Sequence, residues 1–172
     1  MDWTILLSRV PSFFIVIAIF LPNILFLFFP PKNIPPELPA EKPGIFFEMM
    51  EKLGQAGITV IPFFYELNTS LTNPIFWIAI SGMLLFLAGY YIGWIYFFIK
   101  GRGFKWLFFP LPALPFIPLP LAVYPIMFFL FASLLLKSVP LAAAALILAA
   151  GHIPISLNES KRCLKAEEST NI

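Results

Sequence analysis

Few side chains in this 172-residue chain could do chemistry, and most of them stand alone. His152 is the only histidine and Cys163 the only cysteine. His152 has Gly151, Ile153 and Pro154 around it, with no second ligand at metal spacing. A lone cysteine excludes an internal disulfide, a Cys-pair redox centre and a thiolate zinc site. No metal or other cofactor is expected, and Cys163 reads as a surface thiol in a polar tail. His152 could accept a proton near a helix end. Glu66, just before a long apolar run, could meet a cation at the mouth of a bundle. Asn23 puts an amide into apolar surroundings, where it needs a hydrogen-bond partner. Asn23, Glu66 and His152 are therefore the candidate polar site.

No G-x-S-x-G, H-E-x-x-H or phosphate-loop pattern occurs, so the hydroxyls of Tyr90, Tyr91, Ser133 and Ser138 have no readable base and no catalytic residue is assigned. Asn68-Thr69-Ser70 and Asn158-Glu159-Ser160 fit the N-glycosylation pattern but lie close against apolar spans and are read as chance. Lys100, Arg102 and Lys105 beside Trp106 form a compact basic-aromatic patch. Its chemistry is contact with lipid headgroups, anionic ones above all, each charge contributing about 1 kcal/mol near a membrane surface.

The elements that must hold these residues are apolar. Sixty per cent of the residues are hydrophobic and 12% charged, with 21 Phe, 18 Pro and a mean hydropathy of +0.90. An ordinary soluble domain has about 25% charged residues. The composition predicts an all-α integral membrane protein, a single membrane domain over 1–172. The net charge of +2 and the short charge patches argue against a nucleic-acid partner.

Four transmembrane helices are expected, at about 11–29, 74–99, 121–137 and 138–157. Residues 10–29 lack a small-residue cleavage site and read as a retained helix. Pro22 frees the carbonyl of Ala18 within the first span. Residues 30–43 form a polyproline-like connector. Over 44–58, Phe46, Met49, Met50, Leu53 and Gly57 share one helical face, opposite Glu48, Glu51, Lys52 and Gln55. That is the pattern of an interfacial amphipathic helix. Gly82, Gly89 and Gly93 make a small-residue stripe for helix packing, within the chain or in a homodimer. Residues 108–120 carry Pro110, Pro112, Pro115, Pro118 and Pro120 among apolar neighbours. No α-helix survives that density, so a non-helical segment that could line a cavity is expected. The polar tail is 158–172.

With four spans, Arg9, the 100–105 turn and the tail share one side, which the positive-inside rule makes cytoplasmic for both termini. A five-span reading, with 44–65 inserted and the N-terminus outside, balances charge as well but places Glu48, Glu51 and Lys52 in a helix. Both readings keep the C-terminus cytoplasmic. The four-span arrangement sets His152 roughly 30 Å from Glu51 and Glu66, so no acid–base pair is expected. The functional expectation is a small polytopic cell-membrane protein, non-catalytic and interacting with lipid or a partner. The alternative is a small transporter, channel or lipid-handling protein with its site at 108–125, and a membrane enzyme comes last.

Overall fold

A computed structural model describes residues 3–35, 43–67, 71–111 and 117–170, with backbone alone for 3–11, 167, 169 and 170. The glycosylation pattern at 68–70, residues 36–42 of the connector, and Pro112 and Pro115 lie outside the described residues. The chain is helical: α1 Trp3–Phe28, α2 Ile45–Val60 continuing into a 3-10 turn Ile61–Phe64, α3 Pro74–Ile99, a 3-10 turn Phe104–Leu107, α4 Pro120–Leu135 and α5 Val139–Thr170. Two helices are long and apolar enough to cross a membrane. They are α3, with mean hydropathy 2.0, and α5 over Val139–Ala166, with 1.8. Ser12–Phe28 and α4 are apolar but shorter.

Local chemistry explains the helix ends. Asn73 caps α3, its side chain accepting from the Ile75 N–H at 3.0 Å, and Pro74 takes the first position, where no donor is needed. Ser138 starts α5 in the same way, accepting from the Leu141 N–H at 3.2 Å. Between α4 and α5, Lys137 adopts φ 49°, and the Ser138 N–H closes back on the Ser133 carbonyl at 2.9 Å. This is the tight left-handed end that makes an antiparallel helix pair. Leu119, also left-handed at φ 52°, turns the chain into α4 between Pro118 and Pro120.

Side-chain pairs fix the helix directions. Asn23 meets Tyr90, Phe26 meets Trp94, and Phe29 meets Phe98, so α1 and α3 run parallel. Gly82, Gly89 and Gly93 face Phe131, Tyr124 and Leu121, so α4 runs antiparallel to α3. Gly54 lies on Leu148, Gly57 on Ala144, and Gly151 on Glu51, so α2 runs antiparallel to α5. Successive helices thus alternate in direction. At one end the Lys32 N–H donates to the Arg102 carbonyl at 2.7 Å and the Phe104 N–H to the Lys32 carbonyl at 2.9 Å. At the other end the Ser12 hydroxyl donates to the Tyr65 carbonyl at 2.7 Å.

Three expectations change. The helix at 44–58 does not lie apart: its small residues are docked along α5, Gly54 and Ile58 being buried while Phe46, Met49 and Leu53 point outward. The tail is not a separate polar segment. Residues 158–170 continue α5, with Arg162 paired to Glu159 at 2.9 Å and stacked 5.7 Å from the centre of Phe104. Cys163, expected at the surface, is 2% exposed because the tail helix covers it against that turn. The glycine stripe of α3 is covered by α4 of the same chain.

Candidate functional site

The helix directions bring together residues that the four-span arrangement separates. α2 and α5 approach closely because no side chain intervenes. A Cβ on Gly57 would stand 2.6 Å from that of Ala144, and one on Gly54 or Gly151 would collide with backbone. Gly151 lies directly on the backbone of Glu51, and the next residue, His152, sets its Nδ1 2.5 Å from Glu51 Oε1. With the carboxylate accepting, Nδ1 donates and Nε2 is left as the ring nitrogen open to a ligand. The side chains are 31% and 20% exposed, so this acid–base contact is half-buried. Its absence from the sequence expectations is a correction: α2 antiparallel to α5 puts both residues at one level.

His152 borders a cavity of about 370 Å³ to which all five helices contribute. Its polar wall is Asn23 of α1, Gln55 of α2, Tyr90 and Trp94 of α3, and His152 and Ser156 of α5. The rest is apolar, including Phe20, Ile58, Phe108, Leu121, Pro125 and Leu148. The α1 wall is held by two hydroxyls. Tyr90 donates to Asn23 Oδ1 at 3.1 Å, and Tyr91 donates to the Ala18 carbonyl at 2.9 Å. The second bond answers the acceptor that Pro22 leaves without an in-helix donor. The Trp94 indole N–H, by contrast, is buried beside the Tyr90 hydroxyl without a well-aligned hydrogen bond. Such a donor is rare in a settled interior.

Asn23 and His152 therefore share one cavity, while Glu66 is exposed, beside Tyr65 at the Ser12 end of the bundle, and does not line it. Pro110 and Pro118 are exposed and Pro120 is buried; none of them lines the cavity. Among the described residues of this region, Leu107 and Phe108 at the start of the segment and Leu121, Ala122 and Pro125 after it line the cavity. Gln55, Tyr90, Trp94 and Ser156 join the site from their places in the fold. Gln55, one helical turn from Glu51, carried a local signal. Lys100, Lys105 and Trp106 line a second recess, and Arg102 stacks 5.8 Å from the centre of Phe29 at the same end. Among the described residues no cluster of three His, Cys, Asp or Glu could hold a metal.

No protein-family model, curated protein or solved structure matches the chain.

Proposed function

We propose that this is an integral membrane protein of five crossings that binds a small ligand, apolar with one polar group, in its central cavity, as a transporter or lipid-handling protein. The observation that carries the reading is the cavity: polar groups from four helices, among them the buried Trp94 indole N–H and His152, which Glu51 holds from outside the lining, set in otherwise apolar surroundings. Ionisable groups are costly inside a bilayer, and where they persist they usually serve function. The glycine stripe, filled by α4, is not offered as a dimer surface.

Five crossings are favoured by the alternating directions and by the outer surface, where Leu27, Leu85, Ile99 and Val139 are more than half exposed. α2 with its 3-10 turn is about 32 Å long, enough for a hydrocarbon core of about 30 Å. Lys32, the 100–105 turn and the 161–165 stretch then share the cytoplasmic side, and Arg9 and Lys137 lie outside. In a Cys163→Ser background, an impermeant maleimide applied to intact cells should label Thr4→Cys and spare Lys161→Cys. Labelling of both, or of neither before lysis, would rule out the odd number of crossings.

Function is tested in proteoliposomes with labelled short-chain phospholipids and a panel of small monopolar solutes. Wild type should accelerate exchange of at least one probe. Ala122→Trp, which fills the cavity, should lower that rate about tenfold or more, while Leu85→Trp on the outer face leaves it unchanged. Empty-liposome rates for every probe, or equal rates for the filled cavity, would overturn the proposal.

A further inference from the structure

Four seams of the helix bundle are closed along their length. α1 rests on α3, α3 on α4, α4 on α5 and α5 on α2. The fifth seam, between α2 and α1, is closed at one end. There Phe13 meets Phe63 of the 3-10 turn, ring centres 5.5 Å apart, and Ser12 donates to the Tyr65 carbonyl. From that end the two helices part, because each follows a different neighbour. The later turns of α1 lean on α3 through Phe26–Trp94 and Phe29–Phe98, while α2 lies on α5 through Gly54 and Glu51. Among the described residues, α1 and α2 share no contact to match these.

The central cavity stands in this gap. Ile19, Phe20, Asn23 and Phe26 line it from α1, and Gln55 and Ile58 from α2. Asn23 and Gln55 are both exposed, which puts the mouth between them, on the flank of the bundle. At about 1.5 Å per residue, Asn23 lies about 8 Å from the end of α1 at Phe28, and Gln55 about 15 Å from the start of α2 at Ile45. In the five-crossing arrangement the mouth therefore faces hydrocarbon. Toward the end where α1 and α3 finish, residues 104–108 intervene: Leu107 and Phe108 line the cavity, and Phe104, Lys105 and Trp106 the recess beyond it.

The two lips differ. On α1, Leu27, one turn past Asn23, is 78% exposed. On α2, Thr59 follows Gln55 by one turn and donates its hydroxyl to the Gln55 carbonyl at 2.6 Å. An apolar chain with a polar end finds a surface for each part. The lining holds no Asp, Glu, Lys or Arg, and Glu51, already paired with His152, lies outside it. A charged end group would enter without a counter-ion, at a cost of several kcal/mol. At about 370 Å³ the cavity is near the lower end of the range for ligand sites, about 300–1,000 Å³, which suits one chain better than two.

We infer that the ligand is an uncharged single-chain lipid with an oxygen-bearing end group, and that it enters sideways from the bilayer between α1 and α2. The inference rests on the cavity reading above and names its substrate class and route.

Trp94, on the cavity wall and 7% exposed, reports on entry by its fluorescence. The full-length protein, with Trp3, Trp77 and Trp106 replaced by Phe, is reconstituted in phosphatidylcholine vesicles. A monoacylglycerol with a brominated chain should quench Trp94 by about half or more. Phosphatidylcholine with the same brominated chains, and iodide in the buffer, should each quench it by less than about a tenth. Ala122→Phe, which fills the cavity, should remove the quenching. Joining Asn23→Cys to Gln55→Cys with a bis-maleimide, in a Cys163→Ser background, should also remove it, with joined and unjoined protein of one preparation compared. Absence of monoacylglycerol quenching, or stronger quenching by iodide, would overturn entry from the bilayer. Equal quenching by the two lipids would overturn the single uncharged chain. Quenching that persists in both the filled and the joined protein would overturn the site and the seam. None of these readouts depends on flux. Quenching as expected with flux at the empty-liposome rate would remove the transport proposal and leave the lipid site, and flux of a water-soluble solute with iodide quenching would do the reverse.

Discussion

Gly151→Leu should destabilise the protein by about 3 kcal/mol or more, at or beyond the upper end of overpacking penalties. The side chain has nowhere to go: at position 151 it would enter the backbone of α2 between Phe47 and Glu51. Helix backbone cannot move aside as a flexible side-chain tip can, so α2 must leave α5. Three things are then lost together: the Gly54 and Gly57 contacts, the Glu51–His152 bond and one wall of the cavity. Thermal unfolding in detergent, followed by circular dichroism, measures the loss. Limited proteolysis should cut newly between residues 43 and 67. A midpoint within a degree or two of wild type would show that the seam is not close-packed.

His152→Ala should lower transport per folded molecule about tenfold, equivalent to about 1.4 kcal/mol in the rate-limiting step. Glu51→Gln should lower it less, because the amide oxygen still accepts from Nδ1 and keeps the ring in place. Both variants should remain folded. The stability loss for His152→Ala is expected at about 1–2 kcal/mol, at the lower end for a charge-assisted bond because both side chains are partly exposed. Proteoliposome rates, normalised to protein that survives size-exclusion chromatography, give the answer. Unchanged rates with lowered stability would reduce the pair to a clamp between helices.

How far the sequence carries depends on whether a feature is local. The bounds of α3 follow from Asn73-Pro74 and an uninterrupted apolar run. Pro22 and Asn23 announce their needs, a donor for the Ala18 carbonyl and a partner for the amide, although not that Tyr91 and Tyr90 supply them. α2 was legible as a helix but not in its facing. Amphipathic patterns weigh large apolar residues, and here Phe46, Met49 and Leu53 point outward while Gly54 makes the contact. Close approach of two backbones is a property of a residue pair, and the partners of Gly54, Gly57 and Glu51 lie about ninety to a hundred positions later. The Glu51–His152 contact was hidden for the same reason. It depends on the direction of α2, and one crossing more or fewer moves it to the opposite end of the bundle. Cys163 looked exposed because its neighbours are charged, whereas the helix continues past them and turns that one position inward.

The seam between α2 and α5 also bears on the order in which the protein is made. α2 has its most extensive contact with α5, and the matching residues, from Ala144 to Gly151, leave the ribosome long after α2 does. At about 5–20 residues per second the interval is roughly 4–20 s. Throughout it, a helix bearing Glu48, Glu51 and Lys52 has no partner for its glycine face. On the proposed five-crossing arrangement, α2 is therefore held at the membrane surface, or inserted unaccompanied, until α5 arrives to receive it.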